Sequence, residues 1–150
     1  MKGTALKLQD IVETLRADGA FSILVKCIRA TDMLKVLTDK DLTYTLFAPN
    51  DAAFKKLSAR GELRALLDDK ARLVRVVNYH VLPRLLRPEH FDGRKQLATR
   101  EGTTVLVDVT SGFRVNNATA LRPDIECSNG VIHEIDAVLL LPGAGLRKEY

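Results

Sequence analysis

Asn129-Gly130-Val131-Ile132-His133-Glu134-Ile135-Asp136-Ala137-Val138-Leu139-Leu140-Leu141-Pro142 constrains the fold more than any other stretch. It joins a turn-forming dipeptide to a nearly unbroken β-rich run. Asn and Gly both tolerate positive φ, so Asn129-Gly130 suits a two-residue hairpin turn between Asp124 to Ser128 and Val131 to Asp136. Pro142 is expected to end the strand. On the alternation of a strand, His133 shares a face with Val131 and Ile135, while Glu134 points the other way. His133, Asn129 and Gly130 therefore read as structural residues.

Upstream, the hydrophobic period is helical. Leu8, Ile11, Val12 and Leu15 repeat along one helical face, and Phe21, Leu24, Val25 and Ile28 repeat it after the break at Asp18-Gly19. Thr31-Asp32 can cap a further turn through Met33, Leu34 and Leu37. Thr43 to Ala48 reads as a strand stopped by Pro49, and Asn50 or Asp51 then caps a helix carrying Phe54 and Leu57. Leu73, Val76, Val77 and His80 make another i, i+3, i+4, i+7 set, with Pro83 close behind to end it.

From Gln96 the period falls to two: Val105, Val107 and Val109 alternate with Leu106 and Asp108. Gly102, Ser111-Gly112, Asn116-Asn117 and Arg122-Pro123 punctuate the rest, which predicts short antiparallel strands. Helices first and strands later define an α+β domain rather than a parallel βαβ sheet. The 150 residues suffice for one core, so 1–142 is expected to form one domain and 143–150 a polar tail.

Chemistry is sparse. His80, His90 and His133 lie far apart, and no His-x-x-x-His pair, Gly-x-Ser-x-Gly elbow or phosphate-cradling glycine loop occurs. No catalytic residue, cofactor or metal site is read from the chain, and an enzyme is not expected. Cys27 sits in a helical apolar pattern and Cys127 in a strand; they suit buried thiols, though one disulfide is arithmetically open to them. The net charge of +4 comes from basic residues mixed with 19 acidic ones, without aromatic interleaving, so no nucleic-acid partner is expected. No apolar run reaches the ~20 residues of a membrane span. No leader is legible at Met1 to Thr4, so the protein is either intracellular or its leader lies outside this sequence.

Three candidates for partner contact remain: Tyr79, His80 and Asp51. His80 lies on an apolar helical face, where a hydrogen-bonded core role is the plain alternative. Tyr79 points about 100° away from it unless the helix ends between them. Asp51 has the plain alternative of binding backbone N–H groups at a helix start. Asn117-Ala118-Thr119 fits the glycosylation acceptor pattern, relevant only in a eukaryotic secretory setting.

Over residues 5 to 142 the chain resembles the fasciclin-type (FAS1) domain family. Thr45-Leu46-Phe47-Ala48-Pro49-Asn50-Asp51-Ala52-Ala53-Phe54 is similar to its first conserved segment, and Val77-Asn78-Tyr79-His80-Val81-Leu82-Pro83 to its Tyr-His region. Asn129 to Asp136 is similar to its second conserved segment, and Phe21 to Lys26 to its early helix. The resemblance implies a wedge of two small β-sheets with an N-terminal helical cluster. It also implies a non-enzymatic cell-adhesion or surface-attachment module, extracellular, periplasmic or at the cell surface, with a protein or glycan partner; a cytoplasmic place is left open. Animal members engage integrins, with the Tyr-His motif implicated, here Tyr79 and His80. An implicated Asp-Ile motif has no clean counterpart, since this chain reads Glu134-Ile135-Asp136-Ala137. A single copy points to a bacterial or archaeal protein. The alternative reading is a domain that binds a small apolar ligand or lipid, and association with a membrane surface stays open.

Overall fold

The computed structural model describes residues 8–141. Three helices lead: α1 (Ile11–Asp18), α2 (Ser22–Arg29) and α3 (Met33–Leu37), followed by strand β1 (Tyr44–Pro49). Helices α4 (Asp51–Ala59), α5 (Glu62–Asp68) and α6 (Lys70–Tyr79) come next, then β2 (Val81–Leu82), β3 (Arg94–Ala98), β4 (Thr104–Asp108), β5 (Arg114–Val115), β6 (Ala118–Cys127) and β7 (Gly130–Ile135).

Local chemistry explains the helix starts. Asp10 caps α1 by accepting the Glu13 N–H at 2.8 Å, and the Glu13 carboxylate accepts the Asp10 N–H at 3.1 Å, a reciprocal capping box. Gly19, at φ 87°, ends that helix in the left-handed region. Asn50, not Asp51, caps α4 through the Ala53 N–H at 2.8 Å. Before α3, Thr31 rather than Asp32 takes the Met33 N–H, at 3.3 Å. The apolar faces of α1 and α2, including Ile11, Leu15, Leu24 and Ile28, are buried against the core.

The strands form one seven-stranded mixed sheet in the order β2-β1-β7-β6-β5-β4-β3. The two sheets implied by resemblance are joined here because the ten-residue β6 pairs with β5 at Ala118 and Thr119 and with β7 from Ala120 to Cys127. The expectation of antiparallel strands holds for every pair but one: β1 and β7 run parallel, Tyr44 opposite Gly130 and Pro49 opposite Ile135. Both are buried along their whole length. A strand with neighbours on both edges and core on both faces is expected to be apolar throughout, and these two are so except at Thr45, His133 and Glu134, whose polar groups are hydrogen-bonded.

The hairpin before β7 exists, but the turn is displaced by one residue. Cys127 pairs with Gly130, so the loop is Ser128-Asn129, and neither Asn129 nor Gly130 has positive φ. Gly130 is required for another reason: a Cβ there would lie 2.1 Å from the Tyr44 carbonyl oxygen of the neighbouring strand. The strand expected to run on to Pro142 stops at Ile135. Beyond it, Val138, Leu139 and Leu141 are buried in irregular chain, whose Leu139 N–H goes to a histidine and not to a strand. Pro142 and the expected tail at 143–150 lie outside the described residues.

Candidate functional site

Each motif residue singled out in the sequence is bonded to distant backbone. Helix α6 ends at Tyr79, between the two residues, yet Tyr79 and His80 take separate hydrogen-bond partners, and both are buried. The Tyr79 hydroxyl donates to the Thr104 carbonyl at 2.9 Å and accepts from the Asn116 Nδ2 at 3.1 Å. Asn116 in turn accepts the Leu106 N–H at 2.8 Å from a turn with φ of 51°. This fastens α6 to the β4 and β5 end of the sheet.

His80 closes the opposite side. Its Nε2 accepts the Leu139 N–H at 2.9 Å, so the proton sits on Nδ1, which donates to the Val76 carbonyl at 2.7 Å. Burial lowers its pKa from 6.5 to about 4, against the opposing pull of the Val76 carbonyl. The imidazole is therefore neutral at physiological pH and bonded at both nitrogens.

His133 does the same with its nitrogens exchanged. Nδ1 accepts the Asp124 N–H at 2.9 Å, leaving Nε2 to donate to the Leu86 carbonyl at 2.9 Å. Asp124, at φ 62° just after Pro123, lies where β6 slips register, which turns its N–H away from the ladder. The ring packs among Phe47, Phe91 and Phe113, at centroid distances of 5.8, 6.1 and 5.0 Å. Burial lowers the His133 pKa as well, opposed by the Leu86 carbonyl and the nearby Asp124 carboxylate and helped by Arg87.

Asn129 is a third clasp. Its Oδ1 accepts the Ile11 N–H at 3.0 Å and its Nδ2 donates to the Leu37 carbonyl at 2.7 Å, tying the start of α1 to the end of α3. Asp51 sits at the start of α4 but serves α2. Its carboxylate accepts the Ile23 N–H at 2.8 Å and the Ser22 hydroxyl at 2.7 Å.

Sequence reasoning missed Arg122 and Glu134. Glu134 is buried and accepts from the Arg122 guanidinium and, at 2.8 Å, from the Asn50 amide. Arg122 also reaches Asp18 at 2.9 Å, which lowers the Asp18 pKa and raises that of Arg122. A carboxylate inside the apolar run of β7 was the available signal for such a network.

Cys27 and Cys127 are free and buried; burial raises the Cys27 thiol to about 11 and also raises that of Cys127, the reverse of an activated nucleophile. Among the described residues no group of three or more His, Cys, Asp or Glu is placed to hold a metal, and no helix is long and apolar enough to cross a membrane.

Among the described residues, a mixed seven-stranded sheet packed with α-helices defines an α+β class of domain whose most distinctive side chains close on its own backbone. The chain belongs to the fasciclin domain family, whose model matches residues 19–142. It is 37% identical over 134 residues to an uncharacterized protein of Synechocystis sp., covering 89% of this chain and 99% of that one. Human periostin is 33% identical over 135 residues, 89% of this chain and 16% of its own length. The cell surface glycolipoprotein MPB83 of Mycobacterium bovis is 33% identical over 99 residues, 66% of this chain and 44% of its own. In fold, the chain is similar to a FAS1 domain pair from the insect cell adhesion molecule fasciclin I, with a TM-score of 0.76, 20% identity, and coverage of 91% of this chain and 52% of that structure.

Proposed function

We propose that the protein is a non-enzymatic attachment module at a cell surface or in the periplasm, and that it binds a protein or glycan by presenting a rigid outer face. One observation carries this reading: Tyr79, His80, His133 and Asn129, the residues a binding or catalytic reading would choose first, are buried and engaged with backbone. They set the shape of the domain, and contact falls to the exposed residues around them. Fasciclin I, a similar fold, is an adhesion molecule, and MPB83 is a cell surface protein, which supports the same role here. The Phe47, Phe91, Phe113 and His133 rings fill the interior beside β7, which favours attachment over storage of an apolar ligand.

The test is adhesion of cells lacking their own copy to plates coated with native protein or with protein irreversibly unfolded. Several-fold more cells are expected on the native coat. Equal adhesion to both coats would overturn the proposal. Tyr79→Phe, which keeps the ring in place, is expected to retain adhesion if that residue is scaffold.

A further inference from the structure

Helices α1 to α3 carry two adjoining shallow grooves on the outside of the domain. The first, about 310 Å³, has Leu15 and Val25 at its floor and Arg16, Lys26 and Arg29 at its rim. The second, about 640 Å³, begins at the same Arg29 and continues past Leu34, Lys35 and Val36, with Asp32 as its one carboxylate. Among the described residues none of the four cations forms an ion pair, a state they share with Lys95 and Arg114; what sets them apart is that they line adjoining grooves. Of the nearby acids, Asp18 binds Arg122 and Asp51 binds the start of α2, which leaves Asp32 as the one carboxylate facing the four cations.

Resting on the attachment reading, we infer that this trough is the attachment face and that its partner is a linear acidic polysaccharide. Arg16, Lys26, Arg29 and Lys35, which line the two grooves, complement a polyanion. The surface is concave, so a single chain can lie in it, whereas a flat bilayer cannot follow it. The lining holds no aromatic side chain, and single-stranded nucleic acid is ordinarily held by stacking on aromatic rings as well as by charge. Exposed Leu34 and half-buried Val36 offer apolar contact to the C–H faces of sugar rings. Beyond Thr38 the next groove carries Asp10 and Glu13 against Lys40, so the trough ends where its charge reverses.

The experiment compares binding of the full chain to polygalacturonate, neutral dextran, single-stranded DNA and anionic phospholipid vesicles. Polygalacturonate alone should bind at low salt and be released at about 1 M salt, where the Debye length is about 3 Å. Lys26→Glu with Arg29→Glu should weaken that binding at least about tenfold, while the reversal Lys95→Glu with Arg114→Glu on β3 and β5 should change it less than about twofold. Circular dichroism melts check that both variants fold. Equal loss in the two variants, no polygalacturonate binding, or equal binding to DNA or vesicles would each overturn the inference. If the Lys26→Glu and Arg29→Glu protein still holds cells as well as the native coat, the trough assignment fails and the attachment reading stands. If the native coat holds no cells, the attachment reading itself fails.

Discussion

His80 and His133 are the same side chain, both buried and both neutral, yet they run their hydrogen bonds in opposite directions. His80 donates from Nδ1 and accepts at Nε2; His133 accepts at Nδ1 and donates from Nε2. Each nitrogen is set by its backbone partner, because an N–H can only donate and a carbonyl can only accept. The surroundings differ more than the rings do. His80 joins Val76 to Leu139, both buried. His133 joins Leu86, which is half-buried, to the backbone of the exposed Asp124, beside the ion pairs of Arg87 with Asp124 and Glu126. An imidazole thus serves either as an interior bolt or as a fastener for chain at the surface, depending on whether water can reach the groups it would leave behind.

That difference is open to direct test. The largest effect is expected from His80→Ala, which leaves the Leu139 N–H and the Val76 carbonyl without water and empties the ring's volume. Unfolding free energy should fall by about 4 kcal/mol in urea titrations. His133→Ala should cost about 3 kcal/mol, because the Asp124 and Leu86 groups can be rehydrated while the aromatic cluster loses one ring. A larger loss for His133→Ala would reverse the assignment of bolt and fastener.

The next effect is on pH dependence. Both histidines have folded pKa values below the 6.5 of the unfolded chain. Their stabilising contribution is therefore complete above pH 6.5. As pH falls the unfolded chain takes up protons first, and stability declines down to the folded pKa, about 4 for His80. Each histidine should add a slope of up to about 1.4 kcal/mol per pH unit. As pH falls below 6.5, His133→Gln should lose stability less steeply than the native protein by up to one histidine's share. An unchanged slope would mean that His133 does not titrate with unfolding. The smallest effect is that of Tyr79→Phe, beside His80, which removes the hydroxyl between Thr104 and Asn116. A loss of about 1 kcal/mol in the same titration is expected. A loss as large as that of His80→Ala would place the main fastening of α6 at its hydroxyl instead of its histidine.

Much of the architecture was legible in the chain. The faces of α1, α2 and α6, the alternation along β4, the break at Asp18-Gly19 and a helix start at Asn50 or Asp51 depend on neighbours within a few residues, so spacing alone reveals them. The candidate site was legible only as a set of names. Nothing local indicates that Asp51 would cap a helix 28 residues earlier, that Asn129 would join α1 to α3, or that Arg122 would reach both Asp18 and Glu134.

The contrast is plainest at Asn129-Gly130. The sequence by itself determined that a hairpin precedes a buried strand, because a turn-forming pair beside an apolar run places the loop to within one residue, although neither Asn129 nor Gly130 takes the positive φ that the pair suggested. Only the tertiary structure decided that Gly130 is required by the Tyr44 carbonyl of a parallel neighbour and that Asn129 is required by two helices. The partners lie 86 to 118 positions away in the chain, as do Tyr44 from Gly130 and Ile11 from Asn129. Contacts across such distances exist only after the core has brought the elements together, and no local pattern encodes which side chain will be waiting there.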